Sequence, residues 1–553
     1  MRVLGVHCGH NSSACLLDDG VLKWAVQEER FTNEKNQGGF PAESIQFILD
    51  SARERIDKVA VASRNSPAPD TRENRRENWK SRNGVEYRLK QKLRETPLYT
   101  LNSKKQQLER TRQLREFGFS PSQVEFVEHH RCHAAAAYFG SEWRDDVLVL
   151  TNDGRGEKLC GTVNLGDGGS IERVAEIPEG NSVGSLYALT TLELGFIPHE
   201  HEYKLMGMAP YVHDEQWRNE VKNVFSDYLS VDGNEIRRDI PEPMYMALSR
   251  LKDDLEDYRF DWVSAGLQRF TEELLLEWIE NCIRDTGRRK LCLAGGTFMN
   301  VKVNKLVAEH DLVDDVFIFP SCGDESNSIG AAYSVASGNG DTIEPLDDVF
   351  LGPAIDETDV EAKLETTDHE YEYHENIEEK VADLLADGNI VARCNGRLEF
   401  GARALGNRSI LADPRDQDAV RVINDMIKDR DFWMPFAPSI LAESADDYID
   451  YDGDLTAPYM IKAFDTTENW DEMIAAIHPA DQSTRPQIVE PEHNPDYHRL
   501  LQSFEEQTGR GVVLNTSFNL HGSPIVRSPK DALYVFEKSG LQHLALGNYL
   551  ISK

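Results

Sequence analysis

This sequence of 553 residues is short of positive charge: 60 Lys and Arg stand against 96 Asp and Glu, a net charge of −36. A surface so acidic repels nucleic acid, and no nucleic-acid partner is expected. Self-repulsion on this scale is relieved by salt, which suits a salt-rich cytoplasm and suggests a halophilic source. Long apolar runs are also missing. None nears the length of a membrane span, and MRVLGVHCGH enters a strand pattern without a signal-peptide core, so a cytoplasmic protein with no membrane association is expected. The eight cysteines (8, 15, 132, 160, 282, 292, 322 and 394) contain no CxxC pair, and several sit in apolar runs as buried thiols do. That pattern excludes a disulfide framework and fits a reducing compartment. A Gly-Lys-Ser/Thr sequence is absent, which excludes a Walker-type phosphate loop. The length predicts two or more domains.

Among what is present, VEHHRCHAAAAY (Val127–Tyr138) stands out. Its Ala run predicts a helix. On a helix His129 and His133, four apart, share one face and can close on one metal ion. Glu128 precedes the pair, so the pattern is not the HExxH of zinc proteases. Such a pair is often a surface or core pair. Asp153 in TNDGRGE and Asp324 in SCGDESNSIGAA, each beside Gly at an expected strand exit, turn the reading toward a metal. Two His and two Asp make a mixed N/O donor set suited to Fe, Zn or Mn.

Taken in order, Arg2–His7 reads as a strand, CGHNSS as a polar loop, and ACLLDDGVLKWAVQEER as a hairpin around Asp19-Gly20. About 145 residues later VLVLTN, DGRGE and KLCGTVNLGDGGSIERVA repeat the order of strand, Gly loop and hairpin. The repeat predicts a duplicated mixed α/β domain with a cleft between similar halves, whose first loops could grip phosphates through backbone N–H groups. Between the halves, Thr71–Arg115 carries 14 Lys/Arg and 5 Asp/Glu, a basic helical insertion in an acidic chain. It reads first as a solvated helical face, with a lid for an anionic substrate or a partner surface as the sharper alternative.

Further along, Lys204 and Gly207 in EYKLMGMAPY are a point charge beside a small residue, and a surface Lys explains them equally well. Leu251–Asp285 reads as one amphipathic helix. KLCLAGGTFMN is a buried strand ending in Gly295-Gly296, where a nucleotide can approach the backbone. The acidic stretch Gly338–Thr367 separates two differently composed regions. Beyond it NGRLEFGARALGNRSILADPR interleaves Arg397, Arg403, Arg408 and Arg415 with Gly, a density that fits phosphate binding better than salt bridges alone. VVLNTSFNLHGSPIV is a strand ending in Thr516, Ser517 and Asn519, neutral partners for phosphate and ribose.

Together GHNSSACLLDDG, QEERFT, EHHRCHAAAAYF, TNDGRGE, EYKLMGMAPY, LCLAGGTFMN, GRLEFGARALGNRSILADPR, KDRDFWMPFAPSIL and NTSFNLHGSPIV resemble, in order and over nearly the whole chain, the O-carbamoyltransferases of the NodU/CmcH type. The resemblance implies an α/β protein with a duplicated actin-like (sugar-kinase-type, ribonuclease-H-like) domain at residues 1–345 and a YrdC-like α/β domain at 346–553. It implies that ATP and carbamoyl phosphate give carbamoyl-adenylate in the C-terminal domain. The carbamoyl group would then pass to a hydroxyl of a small molecule or glycan at the N-terminal metal site. His129, His133, Asp153 and Asp324 would hold the metal, Fe2+ first, with Zn2+ or Mn2+ as alternatives. His10, then His130, would serve as general base. Gly154, Lys204, Gly207, Gly295, Gly296 and Asn300 would hold the adenylate. Arg397, Arg403, Arg408, Lys428, Arg430, Thr516, Ser517 and Asn519 would hold ATP, with its Mg2+, and carbamoyl phosphate. A homodimer is a further expectation. Two departures from the family pattern bear on nucleotide affinity: Met434 stands where many relatives have Arg, and Asp481–Arg485 replaces an Asp-Gly-Thr run. Two other readings compete, an actin-like small-molecule kinase and a non-catalytic nucleotide sensor. The Arg-rich C-terminal motifs weigh against the first and the intact His/Asp set against the second.

Overall fold

The computed structural model describes residues 1–65, 72–82, 84, 87, 91, 97–428, 431–451 and 457–553. The chain forms two compact units, Met1–Thr32 with Asn36–Leu346, and Asn33–Lys35 with Asp347–Lys553.

The first unit begins with β1 (Arg2–His7), β2 (Ser13–Asp18) and β3 (Val21–Gln27), joined as antiparallel neighbours. Asp19 and Gly20 between β2 and β3 both have positive φ, 46° and 82°, as the two-residue turn of a twisted hairpin requires. β4 (Lys58–Ala62) runs parallel to β1, and β5 (Val124–Val127) parallel to β4, giving the order β3-β2-β1-β4-β5. The second half opens with β6 (Val147–Gly156), β7 (Leu159–Asp167) and β8 (Ser170–Pro178). A separate hairpin, β9 (Leu229–Asp232) with β10 (Glu235–Arg238), follows. Then β11 (Lys290–Ala294) pairs parallel with β6 and β12 (Asp315–Ile318) parallel with β11. The order β8-β7-β6-β11-β12 repeats the first sheet strand for strand. The fold is therefore α/β, with the duplicated arrangement expected from the repeated hairpins.

Two helices occupy equivalent places, each after the last strand of its half: His129–Gly140 after β5 and Asn327–Gly338 after β12. The described parts of the basic insertion, helices Arg72–Ser81 and Pro97–Glu116, fall between β4 and β5, where the second half has the short helix Val301–Ala308. Three details differ from the sequence reading. DGRGE is not an open loop: strand β6 runs on to Gly156 through a register shift after Asn152, and the reversal is made by Glu157 and Lys158, both at positive φ. The β7–β8 reversal turns on Gly168 and Gly169, both at positive φ, one residue beyond the expected Asp-Gly pair. The single helix expected over Leu251–Asp285 is two, Leu248–Leu255 and Phe260–Thr286, because Arg259 is extended and starts a new helix.

The second unit holds β13 (Glu370–Tyr373), β14 (Val391–Cys394), β15 (Arg408–Ala412), β16 (Ala437–Leu441), a small hairpin of β17 (Ile449–Asp450) and β18 (Asp465–Thr466), β19 (Gln487–Val489), β20 (Val512–Ser517), β21 (His543–Leu546) and β22 (Tyr549–Ser552). Eight of them form one mixed sheet, β13-β22-β21-β14-β15-β20-β16-β19. Alternate residues serve two cores. Ala392, Ile410 and Leu514 bury one face, and Val391, Leu411 and Val513 the other. A sheet covered on both faces explains why these strands read as continuous apolar runs.

Candidate active site and metal centre

The helix His129–Gly140 starts at Glu128, whose carboxylate accepts the N–H groups of His130 and Arg131. This cap fixes the first turn and so the facing of His129 and His133. Asp153 approaches from β6, and Asp324 from the turn before helix Asn327–Gly338. One ligand atom from each of these four residues lies within 4.8 Å of the others. His129 Nε2 is 3.2 Å from His133 Nε2 and 3.2 Å from Asp153 Oδ2. It is 3.5 Å from Asp324 Oδ1, which is 3.4 Å from His133 Nε2. Four N/O ligands about 2.1 Å from one ion would be spaced by about 3.4 Å. The donor set therefore fits a divalent cation. Two imidazole nitrogens facing each other at 3.2 Å have no good shared hydrogen bond while both also face carboxylates, and a cation resolves that conflict.

The charges agree. Burial pushes His129 down, but Asp324 and Asp153 outweigh it and lift the ring to about 9. Burial pushes both carboxyls up. The His129 and His133 rings outweigh it, taking Asp324 to about 2 and Asp153 below the ordinary carboxylate range. The carboxylates are thus ionised and ready to bind a cation. Asn327 Nδ2 lies 3.3 Å from His133 Nε2 and 3.4 Å from Asp324 Oδ1, and Gly296 N–H donates to Asp153 Oδ1 at 3.3 Å. Gly156 must be Gly, because a Cβ there would fall 2.0 Å from the His129 ring.

The two candidate bases differ. His10 packs edge-on to His199 at 5.2 Å, and burial with the Arg75 charge lowers it to about 4. His130 is fully buried, holds Thr151 Oγ1 at 3.0 Å, and is lowered to about 3 by burial and by His129. A ring sealed from solvent and tied to Thr151 suits a structural role better than proton transfer to a substrate.

The residues grouped for the adenylate are placed as follows. Gly154 lies in β6, where a Cβ would lie 3.8 Å from His199 Cε1. Gly295, at φ 107°, lies so close to Asn152 that a Cβ would fall 2.2 Å from its carbonyl oxygen. Gly296 starts the turn that reaches Asp153. Asn300 caps helix Val301–Ala308 and exchanges two hydrogen bonds with Gln268, which engage its carboxamide within the fold. Lys204 and Gly207 lie in helix Glu202–Met208, with Lys204 Nζ 5.3 Å from the centre of the Phe196 ring.

In the second unit Lys428 ends a π-helical turn, Asn424–Lys428. Its ammonium donates to the Ser517 carbonyl, to Ser517 Oγ at 3.1 Å, to Asn519 O at 3.2 Å and to Asn519 Oδ1 at 2.6 Å. Thr516 sits beside them on β20, opposite Ile410 of β15. Arg430 lies outside the described residues. Arg408 is fully buried and donates to the carbonyls of Asn395, Asn407, Pro353 and Gly396, so its guanidinium holds the loop. Arg397 donates to Gly352 O, and Arg403 is half-buried on the same loop. Sequence reasoning missed Glu399. Its buried Oε1 accepts the N–H groups of Leu405, Asn407 and Arg408 and shapes the Arg-rich loop. It also missed Ser63, whose Oγ is 3.1 Å from His129 Nδ1, and Asn327. Asn327 alone left a local trace, three residues after Asp324 on the same turn.

All eight cysteines are buried free thiols. Among the described residues no helix is long and apolar enough to cross a membrane.

Comparison with known proteins bears on both units. A family model described as carbamoyltransferase N-terminus matches residues 2–333, and one described as carbamoyltransferase C-terminus matches residues 382–553. An uncharacterized protein of Synechocystis sp. is 32% identical over 100% of this chain and 97% of its own length. Nodulation protein NolNO of Sinorhizobium fredii is 30% identical over 98% of this chain and 79% of its own. Among solved structures, full-length HypF in its phosphate- and nucleotide-bound form matches 62% of this chain and 56% of its own at 12% identity, with a TM-score of 0.35. With both family models matched over most of its length, the chain belongs to the carbamoyltransferase family and is a carbamoyltransferase.

Proposed function

We propose that the chain is an O-carbamoyltransferase working in two steps, one in each part of the chain. In residues 346–553, a YrdC-like domain on this reading, carbamoyl phosphate gives up phosphate to water. The resulting carbamate attacks the α-phosphorus of Mg2+-bound ATP and displaces pyrophosphate, leaving carbamoyl-adenylate. Lys428, Arg430, Ser517, Asn519 and Thr516 bind the phosphates and ribose, with Arg397 and Arg403 adding charge. Arg408 supports them by fixing the loop. In residues 1–345 the adenylate lies along Gly154, Gly295 and Gly296, with Gly295 packed closely on the Asn152 backbone. Lys204, Gly207 and Asn300 complete that binding region. The acceptor hydroxyl, on a small molecule or a glycan, attacks the carbamoyl carbon and AMP leaves. His10 takes the hydroxyl proton at a ring nitrogen, since its lowered pKa keeps it neutral at pH 7.

His129, His133, Asp153 and Asp324 would hold a divalent metal, Fe2+ by family resemblance and Zn2+ or Mn2+ by donor type. When bound, it supplies Lewis-acid polarisation of an oxygen in the reacting group. The observation that carries this reading is the convergence of these four ligand atoms within 4.8 Å in a protein whose family transfers carbamoyl groups. A strongly acidic chain and buried thiols support a salt-rich, reducing cytoplasm as its setting.

The test is mass spectrometry of purified protein given ATP, carbamoyl phosphate and Mg2+ without acceptor, at low and high salt. Carbamoyl-adenylate with pyrophosphate is expected. Formation of ADP would replace this reading with a kinase, and no turnover by folded protein at any salt would replace it with a nucleotide sensor.

A further inference from the structure

Among the described residues, the basic insertion meets the turn beside the metal centre chiefly through Arg110, with Ser103 Oγ and Gln107 Nε2 also donating to Arg64 O at 3.3 and 3.4 Å. Helix Pro97–Glu116 carries Arg110, which is 5% exposed although it lies in one of the most charged segments of the chain. Its guanidinium donates to three consecutive carbonyls at the end of β4: Ala62 O at 3.4 Å, Ser63 O at 2.6 Å and Arg64 O at 2.7 Å. These carbonyls belong to a strained turn. Ser63 is buried with φ 64°, a left-handed conformation that a residue with a side chain rarely adopts. Glu157, at the β6–β7 reversal, holds the same turn from its other side by accepting the N–H groups of Arg64 and Asn65.

The conformation so enforced has one visible product. It aims Ser63 Oγ at His129 Nδ1, 3.1 Å away. When His129 donates Nδ1–H to that hydroxyl, its Nε2 lone pair faces Asp153, Asp324 and His133. A partner on the outer nitrogen fixes both the tautomer and the ring plane of a metal-binding His, and loss of such partners costs ten- to hundredfold in metal affinity.

We infer that Ser63 and Arg110 are positioning residues of the metal centre, with Arg110 of the insertion acting through the Ser63 turn to hold His129 in its ligating orientation. The inference rests on the metal-binding reading of His129, His133, Asp153 and Asp324. It gives the insertion a role that net charge alone does not suggest.

The two links can be separated because Gly is the residue best suited to the left-handed turn. Ser63→Gly removes the hydroxyl while easing the backbone. The full-length protein would be titrated with Zn2+ against a chromophoric chelator, with thermal unfolding followed in parallel. Ser63→Gly is expected to weaken Zn2+ binding ten- to hundredfold without lowering the unfolding temperature. Arg110→Gln should weaken binding in the wild-type background and have no further effect in the Ser63→Gly background. Arg110→Lys, which keeps the charge, should fall between the two and serves where Arg110→Gln does not fold. Unchanged Zn2+ affinity in Ser63→Gly, or an equal effect of the Arg110 substitution in both backgrounds, overturns the inference. A wild-type protein that binds none of Zn2+, Mn2+ or Fe2+, with His133→Ala behaving identically, overturns instead the metal reading beneath it.

Discussion

Gly330 lies so close to Cys132 that a Cβ added to it would fall 1.8 Å from the Cys132 carbonyl oxygen. The two residues join the helices that follow β5 and β12, and each helix is tied to the candidate metal centre, one through His129 and His133, the other through Asp324 at its start. The contact is backbone to backbone, so no side chain can move to make room. Gly330→Ala should therefore destabilise the first unit by about 1–3 kcal/mol, as overpacking does. It should also weaken Zn2+ binding, because the helices can relieve the clash only by separating their ligands. Denaturant unfolding at fixed salt reads the first effect and chelator competition the second. An Ala variant as stable as wild type would mean that the helices approach less closely than this.

If the two steps occupy different parts of the chain, variants should separate them. Lys428→Met removes an ammonium that gathers Ser517 and Asn519, and should cut pyrophosphate release at least 100-fold while leaving Zn2+ affinity unchanged. His133→Ala should do the reverse, abolishing metal binding and carbamoyl transfer while sparing carbamoyl-adenylate formation. Pyrophosphate assay and metal titration of both variants decide the matter. A His133→Ala protein that folds normally and makes no adenylate would refute the division of labour.

The fold was legible where local chemistry dictated it. Asp19-Gly20 marked a hairpin whose two central residues both need positive φ, and its recurrence downstream signalled the duplication now visible in strand order. His129 and His133 could be paired from their i, i+4 spacing, and Asp153 and Asp324 joined to them as Asp residues beside Gly at expected strand exits. Arg408 shows the limit of that logic. An Arg among Gly residues suits a phosphate, yet the same five N–H donors also suit a ring of backbone carbonyls, and burial decides between them. Ser63 and Arg110 were illegible for another reason. Their partners lie 66 and 47 residues away, and neither residue type is unusual where it stands.

Acid should destabilise the protein over a defined window. His10 and His7 are lowered to about 4 and His130 to about 3, in each case by burial first. In the unfolded chain each returns to about 6.5 and binds a proton more readily than in the native state. The neutral rings therefore cost nothing above pH 6.5, and stability falls as pH drops from 6.5 toward 4, by about 3 kcal/mol for a group shifted like His10. His129 acts in the opposite sense in metal-free protein. Its raised pKa adds stability below pH 6.5 that is lost as pH climbs through 9. Urea unfolding of metal-free protein between pH 4.5 and 7.5 should show the loss, and His130→Gln should flatten it by close to one proton. An unchanged slope in that variant would mean that His130 is protonated in the native state.

Glu399 should prove important to the Arg-rich loop although it carries no positive charge. Its Oε1 accepts three backbone N–H groups, from Leu405, Asn407 and Arg408, in a site where the side chain is 1% exposed. Those donors have no water to turn to, so Glu399→Ala strands them and should cost about 3 kcal/mol or more. Glu399→Gln keeps an acceptor oxygen and loses only the charge, and should cost less than half as much. The loop also carries Arg397 and Arg403, so the Ala variant should lose affinity for ATP along with stability, while the Gln variant keeps most of it. Unfolding curves and ATP titrations of the pair test this. Equal losses in both variants would show that the carboxylate acts through its charge on the neighbouring arginines and not by organising the backbone.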